Sequence, residues 1–138
     1  MINITLPITP TAQQRPRFAK RGNFVSAYKS AEQQANERTL EALLYKHAPK
    51  EAIAAPVRLE VLAVMPIPQS TPKRLLQAMQ SETLAHTKKP DLDNIVKQLK
   101  DALSRLHFWH DDKQVAEMIC KKVYGINPRW EITIMELN

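Results

Sequence analysis

The sequence predicts a mixed α/β domain of α+β type, with a small mixed β-sheet and flanking helices in the order β-α-β-α-α-β-β, over residues 1–138 as a single domain. Three observations predict it. Apolar, β-branched segments at both ends and in the middle read as strands. One segment near residue 100 repeats its leucines at helical spacing. A chain of 138 residues with 43% apolar and 25% charged side chains suits one hydrophobic core and excludes a two-domain enzyme.

Taken in order, Ile2 to Leu6 is a short strand stopped by Pro7 and Pro10. The stretch Gln13-Gln14-Arg15-Pro16-Arg17-Phe18-Ala19-Lys20-Arg21-Gly22 is polar and basic and reads as an exposed loop or arm. Residues 30–48 lack Gly and Pro and carry Ala35, Leu40, Leu43 and Leu44 as part of an apolar stripe, so they form the first helix with Ser30 as its N-cap. Val57 to Met65 alternates and then turns continuously apolar before Pro66, the pattern of a strand increasingly buried along its length. Ser70-Thr71-Pro72 resembles a helix start, and Lys73 to Leu84 follows as a short helix before the polar linker His86-Thr87-Lys88-Lys89-Pro90. Leu92, Ile95, Val96, Leu99, Ala102, Leu103 and Leu106 lie on one face of a third helix. Gln114 to Tyr124 and Trp130 to Leu137 are strands, expected to pair as an antiparallel hairpin around the Gly125/Pro128 turn.

Twenty Lys and Arg against fourteen Asp and Glu give a net charge of +6 and point to a polyanionic partner, nucleic acid before an acidic membrane surface. The single Cys120 excludes an internal disulfide, and no basic segment followed by a long apolar run opens the chain, so a reducing, cytoplasmic setting is expected. No apolar run approaches a membrane span, and no membrane partner is expected. The charge is uneven. Residues 1–89 hold thirteen Lys or Arg and six Glu, whereas all five Asp (Asp91, Asp93, Asp101, Asp111 and Asp112) fall between 91 and 112.

On the third helix Asp93 and Lys97 are about 40° apart on a face turned away from the leucines, and Lys97 and Asp101 are related in the same way. Asp91 precedes the first turn, and Asp111-Asp112 follows the helix at a position from which a returning chain could meet it. Carboxylates with a neighbouring ammonium suit a hard divalent cation working on a phosphodiester, the cation activating water and the lysine neutralising charge at phosphorus. The same residues equally suit helix capping and surface i,i+4 ion pairs, and spacing leaves both open. Zinc is disfavoured by one Cys and scattered histidines. His47, His86, His107 and His110 read as structural, Met65, Met79, Met118 and Met135 as core fillers, and Cys120 as a buried inert thiol. Phe18, inside the basic stretch, suits either stacking on a base or anchoring that stretch on the core.

Pro90-Asp91-Leu92-Asp93-Asn94-Ile95-Val96-Lys97, then Asp101-Ala102-Leu103, then Phe108-Trp109-His110-Asp111-Asp112-Lys113-Gln114-Val115 form a compound pattern that resembles the RusA family of Holliday junction resolvases. The short strand running into a proline, the basic loop, Asn23-Phe24-Val25-Ser26 and Val64-Met65-Pro66 fit the same family, and only residues 67–87 look longer than in compact members. The resemblance implies a bacterial or phage-encoded, homodimeric, Mg²⁺-dependent endonuclease that nicks two opposed strands of a four-way DNA junction symmetrically in recombination and repair. It further implies metal-binding catalytic carboxylates at Asp91, Asp93 and Asp112, a catalytic Lys97, and Asp111 as an adjacent contributor. Arg15, Arg17, Lys20, Arg21, Lys88 and Lys89 are the cations expected to contact DNA. The competing expectations are a less selective nuclease of flaps and other branched DNA, and a non-catalytic junction-binding protein.

Overall fold

In the computed structural model, which describes residues 1–138, strand β4 (Val57–Pro66) takes the centre of a four-stranded sheet, its burial alternating at first and continuous over Ala63 to Met65. The sheet order is β1 (Ile2–Leu6), β6 (Arg129–Glu136), β4, β5 (Val115–Gly125), with β1 and β4 antiparallel to β6 and β4 parallel to β5. The residues on one face, Ile4 and Leu6, Leu59 and Val61, and Ile132 and Ile134, are at most 3% exposed. Helices α1 (Ala31–Leu44) and α3 (Leu92–Arg105) cover that face through Leu40, Leu44, Ile95, Leu99 and Leu103. Each of those fully buried aliphatic side chains contributes about 1.5–3 kcal/mol of transfer free energy. Trp109, Trp130 and Phe108 complete the same core.

The α+β class holds, and so do the first strand, the central strand and all three helices. Ser30 caps α1, its hydroxyl accepting the Gln33 N–H at 3.1 Å. Helix α2 spans Lys73–Gln80, shorter than the expected run to Leu84, because the chain turns at Ser81 and Glu82 sits at φ 63°. Two expectations are corrected. The basic stretch is not a loop: β2 (Arg17–Arg21) and β3 (Phe24–Tyr28) form a separate antiparallel ribbon turning through Gly22 at φ +60°. Most of its residues are exposed, so no buried face marks it with a period of two. The last two strands are not a hairpin either, since β4 lies between them and the short link 126–128 crosses its end. The most apolar strand takes the place paired on both sides, and β5, exposed over Ala116 to Ile119, is left at the edge.

No helix is long and apolar enough to cross a membrane.

Candidate active site

Parallel pairing of β4 with β5 sets Met118 opposite Leu59 and Cys120 opposite Val61, so these two side chains share the helix-covered face of the sheet. At the sheet edge α3 leaves a groove above them. Its cavity of about 610 Å³ is lined by Met118 and Cys120 below, by Leu92, Asp93, Val96, Lys97, Lys100 and Asp101 along α3, and by Asp112. The fold therefore brings Asp112 round to Asp93, Lys97 and Asp101, the convergence that spacing left open.

Surface ion pairing does not account for these charges. Neither Asp93 with Lys97 nor Lys97 with Asp101 comes within 4.0 Å, and all six ion pairs of the protein are formed by other residues. Capping does not account for Asp91 either. It stands at the N-cap of α3 with extended backbone, but its side chain accepts no hydrogen bond from the helix. Asp93 accepts only the N–H of its neighbour Asn94, at 3.0 Å. The positive end of the α3 dipole favours both carboxylates without consuming them.

Asp112 is oriented from behind. Ser104 on α3 donates its hydroxyl to the Asp112 carboxylate, and the buried Trp109 indole N–H donates to Ser104 Oγ at 2.8 Å. Asp111 has a different task. Its carboxylate accepts the Lys113 N–H at 2.9 Å, while Gln114 Oε1 accepts the N–H groups of His110 and Asp111 at 2.8 and 2.9 Å. The Gln114 amide also donates to the carbonyls of Ile53 and Ala55, tying the short 3₁₀ turn Asp112–Gln114 to the body. The two adjacent aspartates thus divide between the groove and the turn.

The start of α3 is delivered by a strap laid along β5. Tyr124 N–H donates to Leu84 O at 3.2 Å and His86 N–H to Lys122 O at 2.9 Å, and the Lys122 ammonium donates to Lys88 O and Pro90 O at 2.7 and 2.6 Å. His86, packed with its ring centroid 4.6 Å from that of Tyr124, is held below the ordinary histidine range, first by burial and then by the Lys122 and Lys88 charges. Burial pushes the Cys120 thiol up, which suits the expected inert role although it lines the groove.

Asp91 does not line the groove. It opens onto two flanking cavities, one shared with Arg15 and Lys89 and one with Lys88. Arg17, Lys20 and Arg21 lie apart from these on the ribbon, where Phe18 is 67% exposed and does not anchor on the core. Met118, expected in the core, is 51% exposed in the groove. No three acidic, histidine or cysteine side chains stand close enough to enclose an ion. The acidic residues that line the groove, Asp93, Asp101 and Asp112, are carboxylates, the hard ligands a divalent cation combines with water and phosphate oxygens. Lys100, Ser104 and Lys122 were missed by sequence reasoning. Lys100 carried a signal, standing three residues beyond Lys97 on one helix face, whereas Ser104 and Lys122 matter only through tertiary partners.

A family model for Endodeoxyribonuclease RusA matches residues 7–135. The uncharacterized protein YqaN of Bacillus subtilis (strain 168) is 33% identical over 139 residues, spanning 99% of this chain and 97% of its own length. A protein of Lactococcus phage r1t named crossover junction endodeoxyribonuclease rusA is 33% identical over 130 residues, spanning 93% of this chain and 91% of its own length.

Proposed function

The chain belongs to the RusA family of endodeoxyribonucleases, and on that premise we propose that it resolves four-way DNA junctions by Mg²⁺-dependent, paired, symmetric nicks. The observation that carries the reading is the groove lined by Asp93, Lys97 and Asp112 with no ion pair among them. Asp93 and Asp112 are the residues of the groove that would hold the cation, and Asp91, expected with them, faces the flanking cavities instead. When bound, such an ion supplies Lewis-acid stabilisation of phosphate oxygens and a water of lowered pKa.

The protein's own residues do the rest. Lys97 faces the groove and neutralises charge that grows on the phosphate oxygens. Ser104 and Trp109 keep the Asp112 carboxylate turned inward. Water oxygen bonds to phosphorus as the P–O3′ bond breaks, and the products, a 5′-phosphate and a 3′-hydroxyl, are ends a ligase rejoins. Arg15, Lys88 and Lys89 flank Asp91, and Arg17, Lys20 and Arg21 extend along the ribbon, a layout suited to phosphates on either side of a branch. A homodimer would present one groove to each of two opposed strands of the two-fold symmetric junction.

The test is incubation of the protein with a synthetic four-way junction, with and without Mg²⁺, beside Asp93→Asn. Paired nicks at symmetric positions from the wild type with Mg²⁺ alone are expected. Retarded but uncut DNA in every lane would reduce the protein to a junction binder, and equal cutting of flaps and junctions would remove the junction selectivity.

A further inference from the structure

A second cavity, of about 830 Å³, adjoins Asp91 on the side of α3 away from the groove. Nine of its twelve lining residues are polar or charged, Glu32 and Asp91 among them. Gln13 and Arg15 reach it from the segment after β1, Asn36 from α1, Lys89 from the strap and Asn94 from the first turn of α3. None of these five side chains makes a hydrogen bond or ion pair within the protein, and neither does Glu32 or Asp91 on the same lining, whereas Thr11 and Gln14 beside them are engaged. Thr11 donates its hydroxyl to Gln98 Oε1 at 2.7 Å, Ser30 donates to Gln14 Oε1 at 2.5 Å, and the N–H of Gln14 donates to Gln33 Oε1 at 2.7 Å. The N–H of Gln13 itself donates to Asn94 O at 3.1 Å. Polar contacts therefore fix the wall formed by residues 11–14 while leaving the Gln13 amide side chain free to bind something else.

Carboxamides present a donor and an acceptor side by side, the arrangement that reads a base edge bidentately, and Arg or Lys beside them takes the neighbouring phosphate. The volume lies in the range of small-ligand sites, enough for one nucleoside unit. Resting on the reading of the groove as the cutting site, we propose that this cavity receives the base of a nucleotide next to the scissile phosphate and sets the sequence at which the junction is cut, with Gln13 and Asn36 as specificity-determining residues. Base pairs at a branch point are the least costly to open, which makes a base available there. Asp91, facing the cavity from the turn that also bears Asp93, couples the reading of the base to the position of the bond.

The experiment uses four-way junctions randomised at the nucleotides flanking the crossover, bound in EDTA so that none is cut, with the retained fraction sequenced. The wild type is expected to enrich one base at one position by about tenfold, the worth of one bidentate contact. Gln13→Ala and Asn36→Ala, at half-exposed positions that the fold tolerates, should each reduce that enrichment to about twofold or less, while affinity averaged over the library falls far less. No enrichment by the wild type, or undiminished enrichment by both variants, overturns the assignment. So does an equal loss of affinity for every sequence, since that marks a phosphate contact. Nicking of a junction without base enrichment would remove this pocket alone, and enrichment without any nicking would remove the catalytic reading alone.

Discussion

Two aspartates in this protein stand at the head of a helical turn, and they use their carboxylates in opposite ways. Asp111 closes a capping box, accepting the Lys113 N–H while Gln114 reaches back to the backbone at 111. Asp91 heads a helix of 14 residues and accepts nothing from it. An identical residue type at an equivalent backbone position is thus bound into the fold at one place and left exposed at the other. A carboxylate that its own helix does not use, beside an ammonium that forms no ion pair, has its charge free for an external cation or phosphate. Capping explains the second turn and fails at the first.

The comparison can be broken most forcefully at the groove. Lys97→Ala and Asp112→Asn should each lower single-turnover nicking of a junction by about 10²-fold or more, with the dissociation constant for uncut DNA nearly unchanged. Normal nicking by either variant would return that residue to the solvated surface. Ser104→Ala removes the group that turns Asp112 inward and should lower the nicking rate by about tenfold, a loss partly recovered at higher Mg²⁺, as expected for a group that orients a ligand. Urea unfolding sharpens the contrast from the other side. Asp111→Ala should cost about 1 kcal/mol of stability through its lost cap, whereas Asp91→Ala should leave the midpoint nearly unmoved. The smallest effect concerns a carboxylate committed to the fold. The Arg129 guanidinium, hydrogen-bonded to both oxygens of Glu82 at 2.8 Å, holds that carboxyl below its ordinary range. Its contribution is complete above the unfolded value, about pH 4, and is lost as pH falls through the lower folded value. Glu82→Gln should therefore lose stability at neutral pH yet show a shallower decline on acidification, read from melting temperatures across that range.

What was legible in the sequence was what burial writes into it. The leucine stripe announced α3, and the continuous apolar end of Val57–Met65 announced the central strand, because each element hides a face in the core. The ribbon was illegible for the converse reason. Phe18, Phe24 and Val25 are 67% exposed or more, so pairing between strands, which leaves no periodic trace, makes it a ribbon. The order of strands was hidden too, since two strands three residues apart can still admit a third between them. At the site, residue types and the α3 spacing were readable, and the family resemblance supplied the expected roles. The support of Asp112 by Ser104 and Trp109, and the polar cavity beside Asp91, join residues from distant parts of the chain.

Parallel pairing of β4 and β5 has a consequence for how the groove comes into being. Two adjacent parallel strands require a crossover, and here residues 67–114, with α2, α3 and every aspartate of the protein, make up that crossover. A chain growing from its N-terminus has α3 before it has β5, and so has the wall of the groove before its floor. Closing so long a loop is a late, entropically costly event rewarded only when the edge strand locks in register. Incomplete or locally unravelled chains thus carry the acidic residues without the surface that aligns them, so the capacity to cut DNA arises with completion of the sheet.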